Sequence, residues 1–187
     1  MKHQRRQTSD HKIIDIYDEV FTQAERDFHL NFAYNSTYRV SPVFQNSFWI
    51  KDKNFFYSTF DNNDLNNFAF LSSDSFAEIN KELVDYIPDR YYLNTASIAT
   101  NSYYHVDYTK PGRKTLLYYL NERWCREWGG ETLFTGKYGE CEIAVEYKPG
   151  RIVIFDSEIE HKPAQISTDA DEFRSVFVIQ YRNKREQ

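Results

Sequence analysis

Lys110-Pro111-Gly112-Arg113-Lys114-Thr115-Leu116-Leu117-Tyr118-Tyr119-Leu120 reads as a turn that feeds a strand. Pro111 fixes φ and Gly112 allows φ > 0, which is turn chemistry with a mechanism. The run 114–120 is short and rich in aliphatic and aromatic residues, as strands are. The same grammar recurs at Lys148-Pro149-Gly150-Arg151, which opens the run 151–155. Further short β-like runs occupy 91–100, 131–134, 142–147 and 174–181, and all six glycines fall among the turns between Gly112 and Gly150. Several short strands separated by turns predict a mainly β fold, a sandwich or barrel, with a jelly roll (double-stranded β-helix) as one candidate.

The N-terminal half reads differently. Residues 1–12 look like a loose polar arm. Thr22-Gln23-Ala24-Glu25 is a capping box that opens a helix, with Phe28 and Phe32 as its buried stripe. Residues 38–60 read as extended, with Phe44, Phe48, Trp49, Phe55, Phe56, Tyr57 and Phe60 as β-formers. Asp61 to Asn67 reads as an Asn/Asp-rich turn. A second helix is expected from Ser75-Phe76-Ala77-Glu78, with Phe76, Ile79, Leu83 and Ile87 on its apolar face and Pro88 as its stop. These helices would cover one outer face of the β half. With no repeat and no linker, the 187 residues are expected to form one domain: an arm at 1–12, a helical and extended support at 13–90, and a catalytic core at 91–181.

Composition limits the function classes. Lys plus Arg number 23 against 28 Asp plus Glu, a formal charge of −5, so a nucleic-acid partner is not expected. No apolar run approaches the length of a bilayer span, and the basic start lacks an apolar stretch behind it, so neither a membrane span nor a secretory signal is expected. Cys125 and Cys141 form no CxxC pair, which disfavours structural zinc and makes a reducing, cytoplasmic setting the expectation. Oligomeric state is not readable from these residues.

Two short islands carry the chemistry: Tyr104-His105-Val106-Asp107-Tyr108 and Ser157-Glu158-Ile159-Glu160-His161-Lys162-Pro163. Residues i and i+2 of a strand point the same way, so His105 and Asp107 can aim an imidazole and a carboxylate at one point. A second imidazole from His161 would complete two nitrogens and one oxygen on one face of a cation. That is the ligand set of non-heme Fe(II) oxygenases, which leave the other face open. Two His and one Asp can also hold zinc with a water, and a non-catalytic β-sandwich that keeps the fold for binding is a third reading.

From 91 to 181 the chain resembles the Fe(II)- and 2-oxoglutarate-dependent dioxygenases, in particular the prolyl 4-hydroxylase-like branch. The resemblance rests on Tyr104-His105-Val106-Asp107, on Gly112 to Asn121, and on Trp128-Gly129-Gly130-Glu131-Thr132-Leu133-Phe134. It continues through Lys148 to Phe155, His161 and Phe173-Arg174-Ser175-Val176-Phe177. Residues 1–90 carry no matching motif. The resemblance implies Fe(II) on His105, Asp107 and His161, with 2-oxoglutarate and O2 as co-substrates and ascorbate as a reductant. It implies that Arg174 anchors the distal carboxylate of 2-oxoglutarate, helped by a hydrogen bond from Tyr119; the ordinary alternatives are an Arg174 paired with Asp171 or Glu172 and a Tyr119 that is simply core.

The implied reaction is hydroxylation of an unactivated C–H with release of succinate and CO2. A prolyl residue of a peptide or protein is the substrate nearest to the resemblance, and a free amino acid or another small metabolite is the rival. Two departures stand out. Arg174 lies further beyond His161 than is usual, the extra residues falling in the polar stretch 167–172, and the loop before His105 is short. A second co-substrate tyrosine has no single match, with Tyr103, Tyr92 or Ser97 nearby. Gly129-Gly130 reads as a strand entry where backbone passes close to the wall of the site. Trp124 and Trp128 suit either a substrate mouth or packing, and 182–187 reads as a solvated tail.

Overall fold

The expected β runs become strands of two antiparallel sheets in the computed structural model, which describes residues 1–40, 53–68 and 70–186. In chain order, β1 (Lys2–Gln7) and β2 (Ile13–Asp18) precede α1 (Gln23–Tyr34), β3 (Arg39–Val40), β4 (Lys53–Thr59), α2 (Asn62–Asn67) and α3 (Ala77–Glu82). The second half holds β5 (Tyr86–Asn101), β6 (Lys114–Tyr119), β7 (Thr132–Thr135), β8 (Cys141–Val145), β9 (Ile152–Asp156), β10 (His161–Pro163) and β11 (Arg174–Asn183). Among the described residues, eight strands form one sheet in the order β1-β2-β9-β6-β11-β5-β4-β3, and three form a second in the order β10-β7-β8.

The middle of the large sheet is covered on both faces, which is why its strands read as unbroken apolar runs rather than as an alternation. On β6, Leu116 and Tyr118 join Phe21, Phe68, Phe70, Phe76 and Ile79 beneath the helices. Leu117 and Tyr119 turn the other way, into a core shared with Phe134, Ile143 and Val145 of the small sheet. β9 and β11 divide likewise, with Ile154 and Phe177 toward the helices and Phe155 and Val176 toward the small sheet. The result is the expected jelly roll, helices on one outer face and an inner face that opens toward β7 and β10. Among the described residues no helix is long and apolar enough to cross a membrane.

Several local expectations are corrected. Residues 2–7 are not a loose arm but β1, paired along its length with β2. Its polar sequence hides this, because what holds it is ionic: Arg5 and His3 meet the buried Asp15, and His3 stacks on Tyr17 at 4.5 Å. A charged edge strand also resists pairing with other chains. Asp61 does not begin a turn; it caps α2, its carboxylate accepting from Asn63 and Asp64 backbone N–H groups while Asp64 reaches back.

The Thr22–Glu25 capping box forms as read. The buried stripe of α1, however, is His29, Leu30 and Ala33, with Phe32 packed at its edge and Phe28 exposed. Ser73 rather than Ser75 supplies the cap, and it caps a 3-10 turn, Asp74–Phe76, that leads into α3; α3 itself has no side-chain cap and ends at Glu82. Ile87 and Pro88 belong to β5, where Pro88 faces Tyr181 at a bulge, the kind of place in a sheet that tolerates proline. Arg182 and Asn183 extend β11, and Glu186 pairs with Arg113 at 2.9 Å, so the tail is partly tied down. Phe44, Phe48 and Trp49 lie outside the described residues.

Candidate metal centre

His105, Asp107 and His161 converge, with one donor atom from each lying within 4.8 Å of the others. The backbone arranges this. His105 and His161 form an isolated antiparallel bridge, each N–H donating to the other's carbonyl at 3.0 and 2.9 Å. Two residues on, the N–H groups of Asp107 and Tyr108 both donate to the Ser157 carbonyl. The His105 island is therefore not a full strand, as expected, but a bridge and a turn pinned to the segment that carries His161.

The ring orientations suit a metal. His105 Nδ1 faces the Tyr103 carbonyl at 3.0 Å and His161 Nδ1 faces the Ile159 carbonyl at 2.9 Å. A carbonyl only accepts, so each Nδ1 carries the proton and each Nε2 offers a lone pair. Those Nε2 atoms lie 4.0 and 3.8 Å from the Asp107 carboxylate. Burial pushes the pKa of His161 down to about 4, against the pull of Asp107 and with the help of His105, so this imidazole is neutral at neutral pH. Asp107 is held in turn by the Thr115 hydroxyl, which donates to its Oδ2 at 2.7 Å. His161 and Asp107 are enclosed while the His105 side chain is one-third exposed, so the cluster opens on the His105 side. Two imidazoles and a carboxylate are a donor set that fits Fe(II), and among the described residues no fourth His, Cys, Asp or Glu joins the cluster.

Arg174 enters the same inner face from the start of β11. It is buried, and its Nε donates to the Gly130 carbonyl at 2.7 Å while Nη2 donates to Thr132 Oγ1 at 3.1 Å. Tyr119 Oη lies 2.7 Å from the same Thr132 oxygen. The guanidinium also lies over two rings, Tyr119 at 5.4 Å and Tyr147 at 4.9 Å, which stack on each other. Asp171 and Glu172 are engaged by Arg123, at 2.9 and 2.8 Å, and no carboxylate among the described residues pairs with Arg174. Gly130 has φ +77, and a Cβ there would meet Arg174 Cδ and Trp124 Cζ2 at 3.2 Å each. The close backbone approach read from the glycine pair is thus an approach to Arg174. Trp124 and Trp128 pack edge to face at 5.2 Å, and Trp124 donates to the Gly129 carbonyl, so this pair is wall rather than mouth.

Of the three candidates for a second co-substrate residue, Ser97 turns back toward Thr100 and Tyr103 is largely exposed. The Tyr92 hydroxyl is the one that senses the cluster: its pKa is raised by burial and then by the Asp107 charge. Thr115, Thr132 and Tyr147 were not singled out in the sequence. Thr132 alone left a trace, as the inward residue two before Phe134 in the Gly-Gly-Glu-Thr-Leu-Phe block. A polar groove of about 500 Å³ bordered by Phe28, Asn31, Phe32, Arg39 and Ser58 lies on the helical side, apart from this centre.

No curated protein matches the chain. Among solved structures, the fold is similar to a prolyl hydroxylase from Trichoplax adhaerens in complex with a hypoxia inducible factor peptide, at 14% identity and TM-score 0.67, covering 91% of this chain and 83% of that one. A Pseudomonas putida prolyl-4-hydroxylase is 16% identical with TM-score 0.65, covering 91% and 92%. HygX from Streptomyces hygroscopicus, with nickel and 2-oxoglutarate bound, is 10% identical with TM-score 0.67, covering 91% and 83%. The family model of the 2OG-Fe(II) oxygenase superfamily matches residues 93–179, the segment that contains the three convergent side chains, Tyr119 and Arg174. Over that segment, a little under half of the chain, the protein is similar to the 2OG-Fe(II) oxygenase superfamily, whose members are 2-oxoglutarate-dependent dioxygenases.

Proposed function

We propose that His105, Asp107 and His161 hold the Fe(II), that Arg174 with Tyr119 and Thr132 seats the distal carboxylate of 2-oxoglutarate, and that the enzyme hydroxylates a prolyl residue of a peptide or protein. The observation that carries this reading is a buried guanidinium with no carboxylate partner among the described residues, on the same inner face as the three metal-type donors. A buried charge without a counter-ion is costly, and a dicarboxylate that reaches from the metal to Arg174 supplies one. Arginine suits the task because its planar fork matches a carboxylate.

Bound Fe(II) supplies the redox chemistry: O2 and 2-oxoglutarate become CO2 and succinate, with one oxygen atom in succinate and the other in the substrate C–OH. The protein's own part is positional. Thr115 holds Asp107, two backbone carbonyls hold the imidazoles in the metal-binding tautomer, and the Thr132 hydroxyl links Arg174 to Tyr119. Phe134 and Phe155 border His161 and keep water from that side. The prolyl assignment is supported by the resemblance to the Trichoplax and Pseudomonas enzymes. HygX has also been solved with hygromycin B bound, and this favours the second reading, a small-molecule substrate.

Anaerobic titration with Fe(II) and 2-oxoglutarate should produce a metal-to-ligand charge-transfer band. Succinate release with proline-containing peptides should then be accompanied by a gain of one oxygen in the peptide mass. A protein that gives no band and binds no 2-oxoglutarate by calorimetry would refute the assignment.

A further inference from the structure

The inner face of the large sheet can be followed row by row. Opposed residues of neighbouring strands point to the same side, and the register aligns Phe155, Thr115, Gln180 and Arg90 across β9, β6, β11 and β5. The first two already support the metal centre: the Phe155 ring meets His161 at 4.7 Å and Thr115 holds Asp107. Gln180 and Arg90 continue that row by one and two strand spacings, about 5 and 10 Å from Thr115. Arg174 lies six residues before Gln180 on the same strand, about 20 Å away at 3.4 Å per residue. A co-substrate stretched from the metal toward Arg174 therefore leaves the Gln180 end of the face uncovered.

That end is polar and organised. Gln180 Nε2 donates to Tyr92 Oη at 3.3 Å, so the Tyr92 hydroxyl keeps its own proton to give. The Arg90 guanidinium lies over the Tyr92 ring at 5.0 Å, and no carboxylate among the described residues pairs with it. Its neighbour Asp89 is engaged by Arg113 and Arg182. A cation and an O–H donor, side by side, form a receptor for an anion, and planar bidentate recognition favours a carboxylate.

We propose that Arg90, Tyr92 and Gln180 form the substrate-recognition wall of this site and take a carboxylate that the substrate carries close to the hydroxylated carbon. The proposal rests on the metal-centre reading above and deepens it. It moves Tyr92 from candidate co-substrate residue to the substrate side. Two sources of that carboxylate fit, the free α-carboxylate of an amino acid or an acidic side chain beside the target residue in a peptide.

Two matched pairs test it with the full chain, Fe(II), 2-oxoglutarate and O2: L-proline against L-prolinamide, and acetyl-Ala-Pro-Asp-amide against acetyl-Ala-Pro-Asn-amide. Succinate release above the substrate-free rate is the readout. The acid of one pair should exceed its neutral partner in kcat/KM by about tenfold or more, a typical effect of one charge-assisted contact, and the pair that responds names the source. Arg90→Gln should bring that ratio to near unity, and Arg90→Lys should restore part of it. Equal or better turnover of the neutral partners, no acid that raises succinate release, or an acid preference that survives Arg90→Gln overturns the proposal. The anaerobic charge-transfer band is recorded on the same samples. Its absence indicts the metal-centre reading, whereas its presence without an acid preference indicts the recognition wall alone.

Discussion

Thr115 and Asp107 are joined by a 2.7 Å hydrogen bond, and the same threonine hydroxyl lies 2.9 Å from Ser157 Oγ. The Thr115 proton goes to the carboxylate, so Ser157 donates to Thr115, and a chain of two hydroxyls fixes one oxygen of Asp107. Thr115→Val keeps the shape and deletes that donor. Affinity for Fe(II), or for Mn(II) as a stable substitute, should fall by about 10- to 100-fold, the usual cost of losing a partner that orients a ligand. Metal titration by calorimetry reads this directly, and unchanged affinity would remove Thr115 from the site.

The Arg174 pocket makes a second prediction. Tyr147 Oη is wedged between Asn121 Oδ1 and the Ser175 carbonyl, while its ring lies against the guanidinium. Arg174→Gln should raise KM for 2-oxoglutarate by about 100-fold or more, with a smaller rise for Arg174→Lys, because a point charge cannot reproduce the fork. Tyr147→Leu should raise the same KM by about tenfold through loss of the ring, and Tyr147→Phe by less. A change in kcat with KM unmoved would argue against a positioning role for Tyr147.

Gly130 gives a steric test of the same pocket. With φ +77 and Arg174 Cδ only 3.2 Å from where a Cβ would stand, Gly130→Ala is strained and displaces the guanidinium or Trp124. Stability should drop by about 1–3 kcal/mol and 2-oxoglutarate binding should weaken with it. Urea unfolding and co-substrate titration on the one variant separate the two effects.

His29 sets a pH dependence away from the active site. It is buried among Phe21, Phe68 and Phe70, and its Nδ1 lies within hydrogen-bond distance of the Tyr118 hydroxyl, at 3.2 Å. Burial pushes its pKa down from 6.5 to about 4, with Glu25 opposing. The unfolded chain takes up this proton near pH 6.5 and the folded chain only near pH 4. The stability tied to neutral His29 is thus whole above pH 6.5 and is lost as pH falls through that window, with a slope of up to about 1.4 kcal/mol per pH unit. Urea midpoints measured above and inside the window should diverge less in His29→Phe than in the parent protein.

The fold was legible where the signal was local or doubly buried. The apolar runs of β6, β9 and β11 announced themselves because both their faces are covered, and the Thr22–Glu25 box needs only four consecutive residues. β1 was missed because its strand pairing is held by His3 and Arg5 on a buried carboxylate, which leaves no apolar alternation to read. Phe28 misled because hydrophobicity says nothing about which way a short helix is rolled; His29 took the inward position instead. At the site, His105, Asp107, His161 and Arg174 could be found as residue types in order. Thr132 and Tyr147 could not, and Tyr92 could be named only alongside Tyr103 and Ser97, since their places follow from which strand lies beside which. Thr132 reaches the site because β7 pairs with β10, and Tyr92 because β5 lies beside β11.

The reciprocal backbone bridge between His105 and His161 has one more consequence. The two imidazoles are brought together by ordinary main-chain hydrogen bonding, so their encounter is completed when the chain folds and does not wait for an ion. A metal arriving there meets a receptor that is already assembled, and one that departs leaves the scaffold behind it intact. Loading and loss of iron should therefore be a reversible exchange at a standing site, and stripping the protein with a chelator should silence it without unfolding it.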